Sequence, residues 1–329
     1  MVAYLLRRIL VMIPTLVAIS IVAFVIIQLP PGDYLTIYMA QLREQGDLVD
    51  ELVINRLRQR YGLCQPIYVQ YFKWISGILL RNDWGDSMYF NLPVKEVIGD
   101  RILLTFVLSF STLIFSWLIS IPVGVYSATH QYSALDYIIT AINFIGRGIP
   151  EFMLALVIMW WAMSQLGMSV GGLFSPQFIT APWSWAKFVD MLKHIWQPMV
   201  ILAVGSTAGG IRTTRANLLD ELNKPYVETA RAKGVAERTL IWKYPVRVAM
   251  NPFFSTVGWS LANLISGSTL VSVVLSLQTT GPMMLRALTS QDMYLAGSFI
   301  LLLSTLTVIG TLLSDMLLAV VDPRIRLTR

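Results

Sequence analysis

The chain has 329 residues, of which 55% are hydrophobic and 13% are charged, about half of the ~25% charge that an average soluble domain carries. This composition excludes an ordinary water-soluble enzyme. Lys and Arg number 25 and Asp and Glu number 19, which gives a formal net charge of +6. The positions of the positive residues decide whether that surplus indicates nucleic acid, anionic lipid or membrane topology.

Six long uncharged runs predict an all-α integral membrane protein with six transmembrane helices. The first has 21 residues, close to the ~20 that cross a ~30 Å hydrocarbon layer. It continues into Gln28 and Leu29 without a small-residue cleavage site, so we interpret it as an uncleaved helix. An earlier start of the third run, near Ile138, would place Arg147 and Glu151 inside or at the edge of the span, where charge is costly. The runs are residues 9–29, 102–129, 152–170, 195–211, 252–285 and 293–314.

The distribution of basic residues predicts the orientation of these helices. An even number of spans places both termini on one side of the membrane. The loop 212–247 carries eight basic and four acidic residues, and three more arginines follow residue 322. By the positive-inside rule the loop and both termini are cytoplasmic. The charge surplus is then explained by topology, and no nucleic-acid partner is expected.

The same topology divides the chain into three parts. Residues 1–29 form the N-terminal segment with the first span, and residues 102–329 form the core domain with the other five spans and a cytoplasmic loop at 212–252. Residues 30–101, with eight basic and nine acidic side chains, form an extracytoplasmic domain. Its apolar residues recur at helical spacing between 49 and 61, which predicts an amphipathic helix that caps the bundle locally or contacts the membrane or a partner.

The sequence offers no catalytic, metal or cofactor site. Cys64 is the single cysteine, and the spacing of His130 and His194 matches no metal-binding pattern. The two glycines 205 and 210 have the spacing of a nucleotide-binding Walker A loop, but Ile-Arg follows where Lys and Ser or Thr are required. We therefore predict a non-catalytic chain. The spans are almost free of ionisable groups, which also disfavours a proton-coupled or sodium-coupled carrier.

The cytoplasmic loop contains a short predicted helix. Asn223 is suited to cap its start and Pro225 to occupy its first turn. Arg231 and Lys233 lie in the last turn, and Gly234 permits the left-handed conformation that ends a helix. Such a projection either docks in a groove of another protein or is a solvated loop whose charges hold the topology, and these physical features alone do not separate the two.

The loop resembles a known motif. Glu228-Thr229-Ala230, then three residues and Gly234, is similar to the EAA motif of importer-type ABC transporter permeases, in which Glu-Ala-Ala and three residues precede Gly. Thr229 departs from the motif's second position. The segment 229–234, Thr-Ala-Arg-Ala-Lys-Gly, is typical of the oligopeptide and dipeptide permease subfamily.

Other blocks extend the resemblance along nearly the whole chain. The opening Leu-Arg-Arg-Ile at 6–9, Pro-Gly-Asp at 31–33, Tyr-Gly-Leu at 61–63, Gly-Asp-Ser at 85–87 and Asp-Pro-Arg-Ile-Arg at 322–326 follow that subfamily's order and spacing.

The resemblance implies a type I ABC importer permease in a bacterial inner membrane. Such a subunit forms half of the translocation path and pairs with a second homologous permease. Two ATP-binding subunits drive it, and an extracytoplasmic solute-binding protein delivers the ligand. ATP is then bound by the partners, and this chain holds no cofactor. The resemblance further implies that the loop is the ATPase-coupling helix, formed by Tyr226, Glu228, Thr229, Ala230, Arg231, Ala232, Lys233 and Gly234.

Four polar residues in or near the spans are candidates for the translocation path. They are Glu151, Ser260, Asn263 and Ser266. Glu151 has an alternative role in a salt-bridged or interfacial pair with Arg147, since charges near helix ends can reach water. The serines and Asn263 have an alternative role in close helix contacts.

Three other functions are compatible with a polytopic membrane chain. A secondary carrier or channel would transport without an ATPase, an integral membrane enzyme would need a catalytic constellation, and a scaffold would show no solute flux. The resemblance and the coupling loop favour the importer permease. The transported solute, whether peptide, sugar, opine or metal chelate, is left open by the sequence.

Overall fold

The computed structural model describes residues 2–29, 34–44, 58–59, 64–166 and 171–321. These residues are mainly helical. The predicted amphipathic helix between 49 and 61 and the block at 322–326 lie outside the described residues, apart from positions 58 and 59. The helices are α1 Val2–Gln28, α2 Tyr34–Glu44, α3 Ile67–Ser76, α4 Val94–Thr129, α5 Ala134–Gly148, α6 Glu151–Leu166, α7 Trp185–Leu222, α8 Pro225–Ala232, α9 Glu237–Lys243, α10 Pro245–Ala249, α11 Asn251–Ser255, α12 Val257–Val274, α13 Thr280–Thr289 and α14 Met293–Val321.

Four helices of the described chain are long and apolar enough to cross a membrane. They are Arg8–Gln28, Val94–Thr129, Val257–Val274 and Met293–Leu318. Helices α5 and α6 would together make a fifth span, bent by 98° at the break between them. Helix α7 has 38 residues, but it is not among the helices that are apolar enough to cross a membrane. Small and polar residues interrupt its apolar stretch and lower its mean hydropathy. The number of six spans and their orientation stay predictions.

The fifth uncharged run is not one helix. Three short or medium helices, α11, α12 and α13, divide residues 252–285, and the longest of them, α12, ends at Val274. Ser276 follows with a positive φ of 51°, which interrupts the helical path. The run was expected to be a single span, but only its segment 257–274 has the length and hydropathy of one.

The chain folds as two compact units. The first comprises the described residues of Met1–Leu103 and Thr279–Val308. Its core packs Val94, Val97 and Ile98 of α4 against Leu295 and Phe299 of α14. A second cluster stacks Phe24 on Trp74, with ring centroids 5.6 Å apart.

The buried carboxylate of Asp292 holds a small hairpin in place within this first unit. Strands β1, Asp86–Ser87, and β2, Leu92–Pro93, pair antiparallel. The Ser87 hydroxyl donates to Asp292 at 2.6 Å, and the Tyr89 N–H donates to the same carboxylate at 3.1 Å. Asp292 is fully buried and also accepts from the N–H of Leu295 in the first turn of α14. The hairpin and the start of α14 therefore share one buried polar anchor.

The second unit comprises the described residues of Leu104–Gln278 and Ile309–Arg329. Its largest core cluster joins α4, α6, α7 and α12 and is centred on the buried Leu108, Ala155, Ile201, Leu202 and Val271.

Glycines bring the backbones of helices in this second unit close together. A Cβ on Gly258 would lie 2.4 Å from the Thr311 backbone nitrogen, and one on Gly210 would lie 2.6 Å from the Ser120 hydroxyl. Small residues permit such close helix approach in membrane proteins.

Candidate functional site

The predicted cytoplasmic helix is present as α8. It begins at Pro225, whose missing N–H costs nothing at the first helical position. Lys224, with extended backbone, is the capping residue and makes no side-chain cap hydrogen bond. The expectation that Asn223 caps this helix is wrong, because its amide nitrogen donates backwards to the Leu219 carbonyl at 3.0 Å. The fixed φ of proline therefore starts the helix without help from a capping side chain.

The end of α8 follows the sequence expectation. Gly234 has a φ of +75°, a conformation that costs a residue with a Cβ roughly 1–2 kcal/mol. Its N–H donates to the Arg231 carbonyl at 3.0 Å, and the N–H of Val235 donates to the Ala230 carbonyl at 3.3 Å. This pair of bonds is the Schellman closure. The helix is thus bounded at both ends by backbone geometry.

One side chain anchors α8 while most of the others face outwards. Val227 is fully buried. Ala230 is half-buried, and the other predicted coupling residues are exposed; they are Tyr226, Glu228, Thr229, Arg231, Ala232, Lys233 and Gly234. Sequence reasoning did not identify Val227 as the anchor, although it is the apolar residue enclosed by the charged ones.

Polar bonds fix α8 against its neighbours. The Tyr226 hydroxyl donates to the Glu221 carboxylate at 2.5 Å. Burial and the neighbouring Glu221 carboxylate raise the pKa of Tyr226, so it remains a donor at neutral pH. Arg231 pairs with Glu237 of α9 through Nη2 at 2.7 Å and Nε at 3.2 Å. The hydrogen bonds from Arg231 lower the pKa of Glu237, and the pair therefore stays ionised at physiological pH.

A cavity of about 420 Å³ lies within the second unit. Helices α4, α6, α7 and α12 form it together with the residues around α11. Three of the four candidate path residues, Glu151, Ser260 and Asn263, line it. Ser266 is exposed on α12 but does not line it. Sequence reasoning missed further polar lining residues, which are Ser116, Ser206, Thr213 and Thr256.

Glycines open this cavity around the Glu151 carboxylate. A Cβ on Gly205 would lie 3.2 Å from Oε1, and one on Gly267 would lie 3.9 Å from Oε2. Within the segment 205–210, Gly210 approaches Ser120 closely. Gly205 and Gly210 also line the cavity, so the same stretch provides both close contact and open space.

Arg147 and Glu151 are not paired. Across the described chain, no ion pair within 4.0 Å joins them. Arg147 Nη1 instead lies 3.6 Å from the position of a Cβ on Gly209, one helical turn beyond Gly205. No group of three or more His, Cys, Asp or Glu side chains suited to a metal ion occurs among the described residues.

Comparisons with known proteins agree with these features. Residues 120–327 match the family described as "Binding-protein-dependent transport system inner membrane component". Residues 1–109 match "Binding-prot-dependent transport system membrane comp, N-term".

Curated relatives align over almost the full length. The oligopeptide transport system permease protein AppB of Bacillus subtilis is 35% identical, with 99% of each chain covered. The dipeptide transport system permease protein DppB of Alkalihalophilus pseudofirmus is 30% identical, with 99% of this chain and 100% of the relative covered. The dipeptide permease DppB of Escherichia coli K12 is 29% identical, with 99% of each chain covered.

A solved structure shares the fold. A chain of the inward-facing MetNI methionine ABC transporter superposes with a TM-score of 0.53 at 18% identity, and the match covers 69% of this chain and 97% of that one. The family matches over residues 1–109 and 120–327 and the 35% identity to AppB lead to one assignment. The chain belongs to the binding-protein-dependent transport system inner membrane component family, the permeases of ABC transporters.

Proposed function

We propose that this chain is one of two homologous permease subunits of an ATP-driven importer of peptides. Its similarity to AppB and DppB over nearly the whole length supports the peptide class of solute. The observation that carries the proposal is the exposed helix α8, whose sequence from Glu228 to Gly234 resembles the EAA motif. Two ATP-binding subunits and an extracytoplasmic binding protein complete the transporter.

Helix α8 is the proposed coupling helix. Its side chains face outwards, with the exception of the buried Val227 and the half-buried Ala230, and they offer both charge signs to a groove on an ATPase. Proline at one end and a Schellman closure at the other make it a short rigid body. A rigid element moves as a whole when its partner closes. Such movement would carry the adjoining α7, because only Asn223 and Lys224 separate the two helices.

The cavity next to Glu151, Ser260 and Asn263 is this subunit's proposed share of the translocation path. Its polar lining supports the passage of a hydrated or amide-containing solute. The second permease would supply the other half. The permease itself hydrolyses no nucleotide, since the energy source lies in the partner subunits.

The proposed topology has six spans with both termini in the cytoplasm. Helix α7 supplies the span that hydropathy alone does not identify, because its 38 residues are about 57 Å long at ~1.5 Å per residue. The basic loop 212–247 then lies in the cytoplasm with α8, in agreement with the positive-inside rule.

The test combines Glu228→Arg with Gly234→Pro in the complete transporter. Charge reversal alters the docking surface, and proline cannot adopt the φ of +75° found at position 234. We expect loss of ATP-driven uptake with unchanged membrane insertion and binding-protein docking. The matched control is Glu96→Arg, at an exposed carboxylate far from the loop in sequence.

Two outcomes would overturn the proposal. Retention of coupled uptake by the double variant would remove the coupling role from α8. Uptake by the chain reconstituted alone, without any ATPase, would instead indicate a secondary carrier or channel. Copurification of two ATPase chains and a second permease distinguishes the transporter from a scaffold.

A further inference from the structure

The cavity carries a single ionisable group. Glu151 is the one charged residue among its described lining side chains, and the others are apolar, glycine, hydroxyl or amide groups. A carboxylate that stands in such surroundings without a counter-charge is unfavourable, because the cavity walls solvate it less well than water does. A positively charged group that enters the cavity would therefore be stabilised beside Glu151.

The protein does not provide such a group beside Glu151 in this structure. In the part of the chain that the structure describes, Glu151 forms no ion pair within 4.0 Å, and the nearest cation in sequence, Arg147, is aimed at Gly209. Arg147 does not line the cavity. Gly205 and Gly267 flank the carboxylate and leave space where side chains would otherwise cover it. Glu151 is only partly buried and lines the cavity, so a group that enters the cavity can reach its side chain.

We propose that Glu151 binds the positively charged ammonium group of the transported solute inside this cavity. This inference rests on the proposed function and narrows it to solutes that carry a primary ammonium, such as the amino terminus of a peptide. The volume of about 420 Å³ falls within the ~300–1,000 Å³ typical of small-ligand sites. Ser260 and Asn263 of α12 also line the cavity, and their side chains can form hydrogen bonds with amide groups of the same solute.

A carboxylate in the first turn of a helix also has a purely structural role, through its interaction with the helix dipole. The chain offers a matched control for that role. Glu96 likewise lies in the first turn of its helix, α4, and is exposed outside the cavity. Glu151→Gln and Glu96→Gln each remove one negative charge from the first turn of a helix. Glu151→Asp keeps the charge and tests the shape of the site.

The experiment uses the whole transporter in proteoliposomes with its binding protein. The probes are two pools of alanine peptides of two to five residues, one with free and one with acetylated amino termini. Uptake is read by mass spectrometry of the vesicle lumen, and ATP hydrolysis is followed in parallel. One binding protein delivers the peptides to every variant, so its own selectivity cancels when the variants are compared.

We expect Glu151→Gln to lower uptake of free-amine peptides by roughly ten-fold or more, the effect of losing one charge-assisted hydrogen bond in a partly dry site. The transporter with Glu151→Gln should import acetylated peptides at the same rate as the wild-type transporter. Its rate of ATP hydrolysis should also be unchanged. Glu96→Gln should match the wild type, and Glu151→Asp should retain most uptake.

Three results would overturn the inference while leaving the proposed function intact. They are wild-type uptake by Glu151→Gln, an equal loss of both peptide pools, and a loss in Glu151→Asp as large as in Glu151→Gln. If the wild-type transporter imports neither pool, the proposed peptide function fails first, and the inference falls with it.

Discussion

Arg215 and Asp136 form a two-point ion pair between α7 and α5, in which Nε and Nη2 of the arginine donate to the two carboxylate oxygens at 3.0 and 2.9 Å. The same carboxylate accepts from the Ser127 hydroxyl and, at 3.0 Å, from the Tyr132 N–H. Asp136 is buried, and the Arg215 side chain is 28% exposed. The pair therefore joins the end of α4, the turn after it, and two further helices.

Removal of one partner should destabilise this junction. We expect Arg215→Ala to lower the free energy of unfolding by about 2–4 kcal/mol, near the lower part of the range for a fully buried pair, because water partly reaches the arginine. The measurement is unfolding of the purified chain in detergent by added SDS. Asp136→Asn with Arg215→Gln should recover part of the loss, because no unpaired charge remains. A loss of less than about 0.5 kcal/mol in Arg215→Ala would class the pair with solvent-exposed ones.

The close approach of Gly258 and Gly310 makes a second prediction. A Cβ on Gly258 would meet backbone atoms at 2.4 and 2.6 Å, whereas one on Gly310 would lie 3.1 Å from the Gly258 Cα. Gly258→Ala should therefore destabilise the chain by roughly 1–3 kcal/mol, the usual cost of overpacking, and Gly310→Ala by less. Gly148→Ala is the control, because a Cβ there would meet nothing within 4 Å. Equal stability of all three variants in the SDS titration would contradict the contact.

Asn263 and Ser266 provide a matched pair for the cavity. Both are exposed on α12, three residues apart, but only Asn263 lines the cavity. Asn263→Leu should reduce the maximal uptake rate by about ten-fold, because an apolar side chain removes hydrogen bonds from the lining. Ser266→Leu should reduce the maximal uptake rate less than two-fold, because Ser266 does not line the cavity. The reverse order would place the path on the other side of α12.

Asp292 should make stability depend on pH. Burial raises the pKa of its carboxyl, although hydrogen bonds from Ser87 and from backbone N–H groups oppose the shift. The folded state then holds the proton more tightly than the unfolded state, whose Asp has a pKa of about 3.9. This contribution to stability is complete below that value and is lost as pH rises through the folded pKa.

Asp292→Asn removes that titration. We expect the melting temperature of the wild type to decline relative to the variant as pH rises from about 4 upwards, because asparagine cannot ionise. Glu96→Gln, which removes an exposed carboxylate, serves as the control. A constant difference between wild type and Asp292→Asn across the pH range would show that burial does not govern this group.

Local signals predicted α8 well, because the elements that start and end it act within a few residues. Proline at 225 fixes its own φ and glycine at 234 permits the positive φ that ends the helix, and the structure has both features. The prediction for Asn223 was wrong because its side chain can bond either to the helix that follows or to the helix that precedes it. In the structure its amide donates to a backbone carbonyl of the preceding helix. The coupling role of the helix stays a prediction.

Contacts between residues far apart in the chain could not be predicted from the sequence. The charges Arg212 and Arg215 end the fourth uncharged run, yet the helix continues to Leu222. Arg215 pairs there with Asp136, which lies 79 positions away in the sequence. The convergence of Glu151 with Ser260 and Asn263 likewise requires the fold. The bend of 98° between α5 and α6 is set by the fold as well.

Helix α7 runs without interruption from the cavity to its C-terminal end, and this length determines how far a tilt of the helix would move the cavity wall. Gly205 lines the cavity and Leu222 ends the helix, a separation of about 26 Å at ~1.5 Å per residue. No proline falls between them, since the one inside this helix is Pro198. A tilt of about 5° around Leu222 would therefore displace the wall at Gly205 by roughly 2 Å. Gly205 lies against Oε1 of Glu151, which belongs to α6, so a displacement of that size would change the space beside the proposed ammonium site.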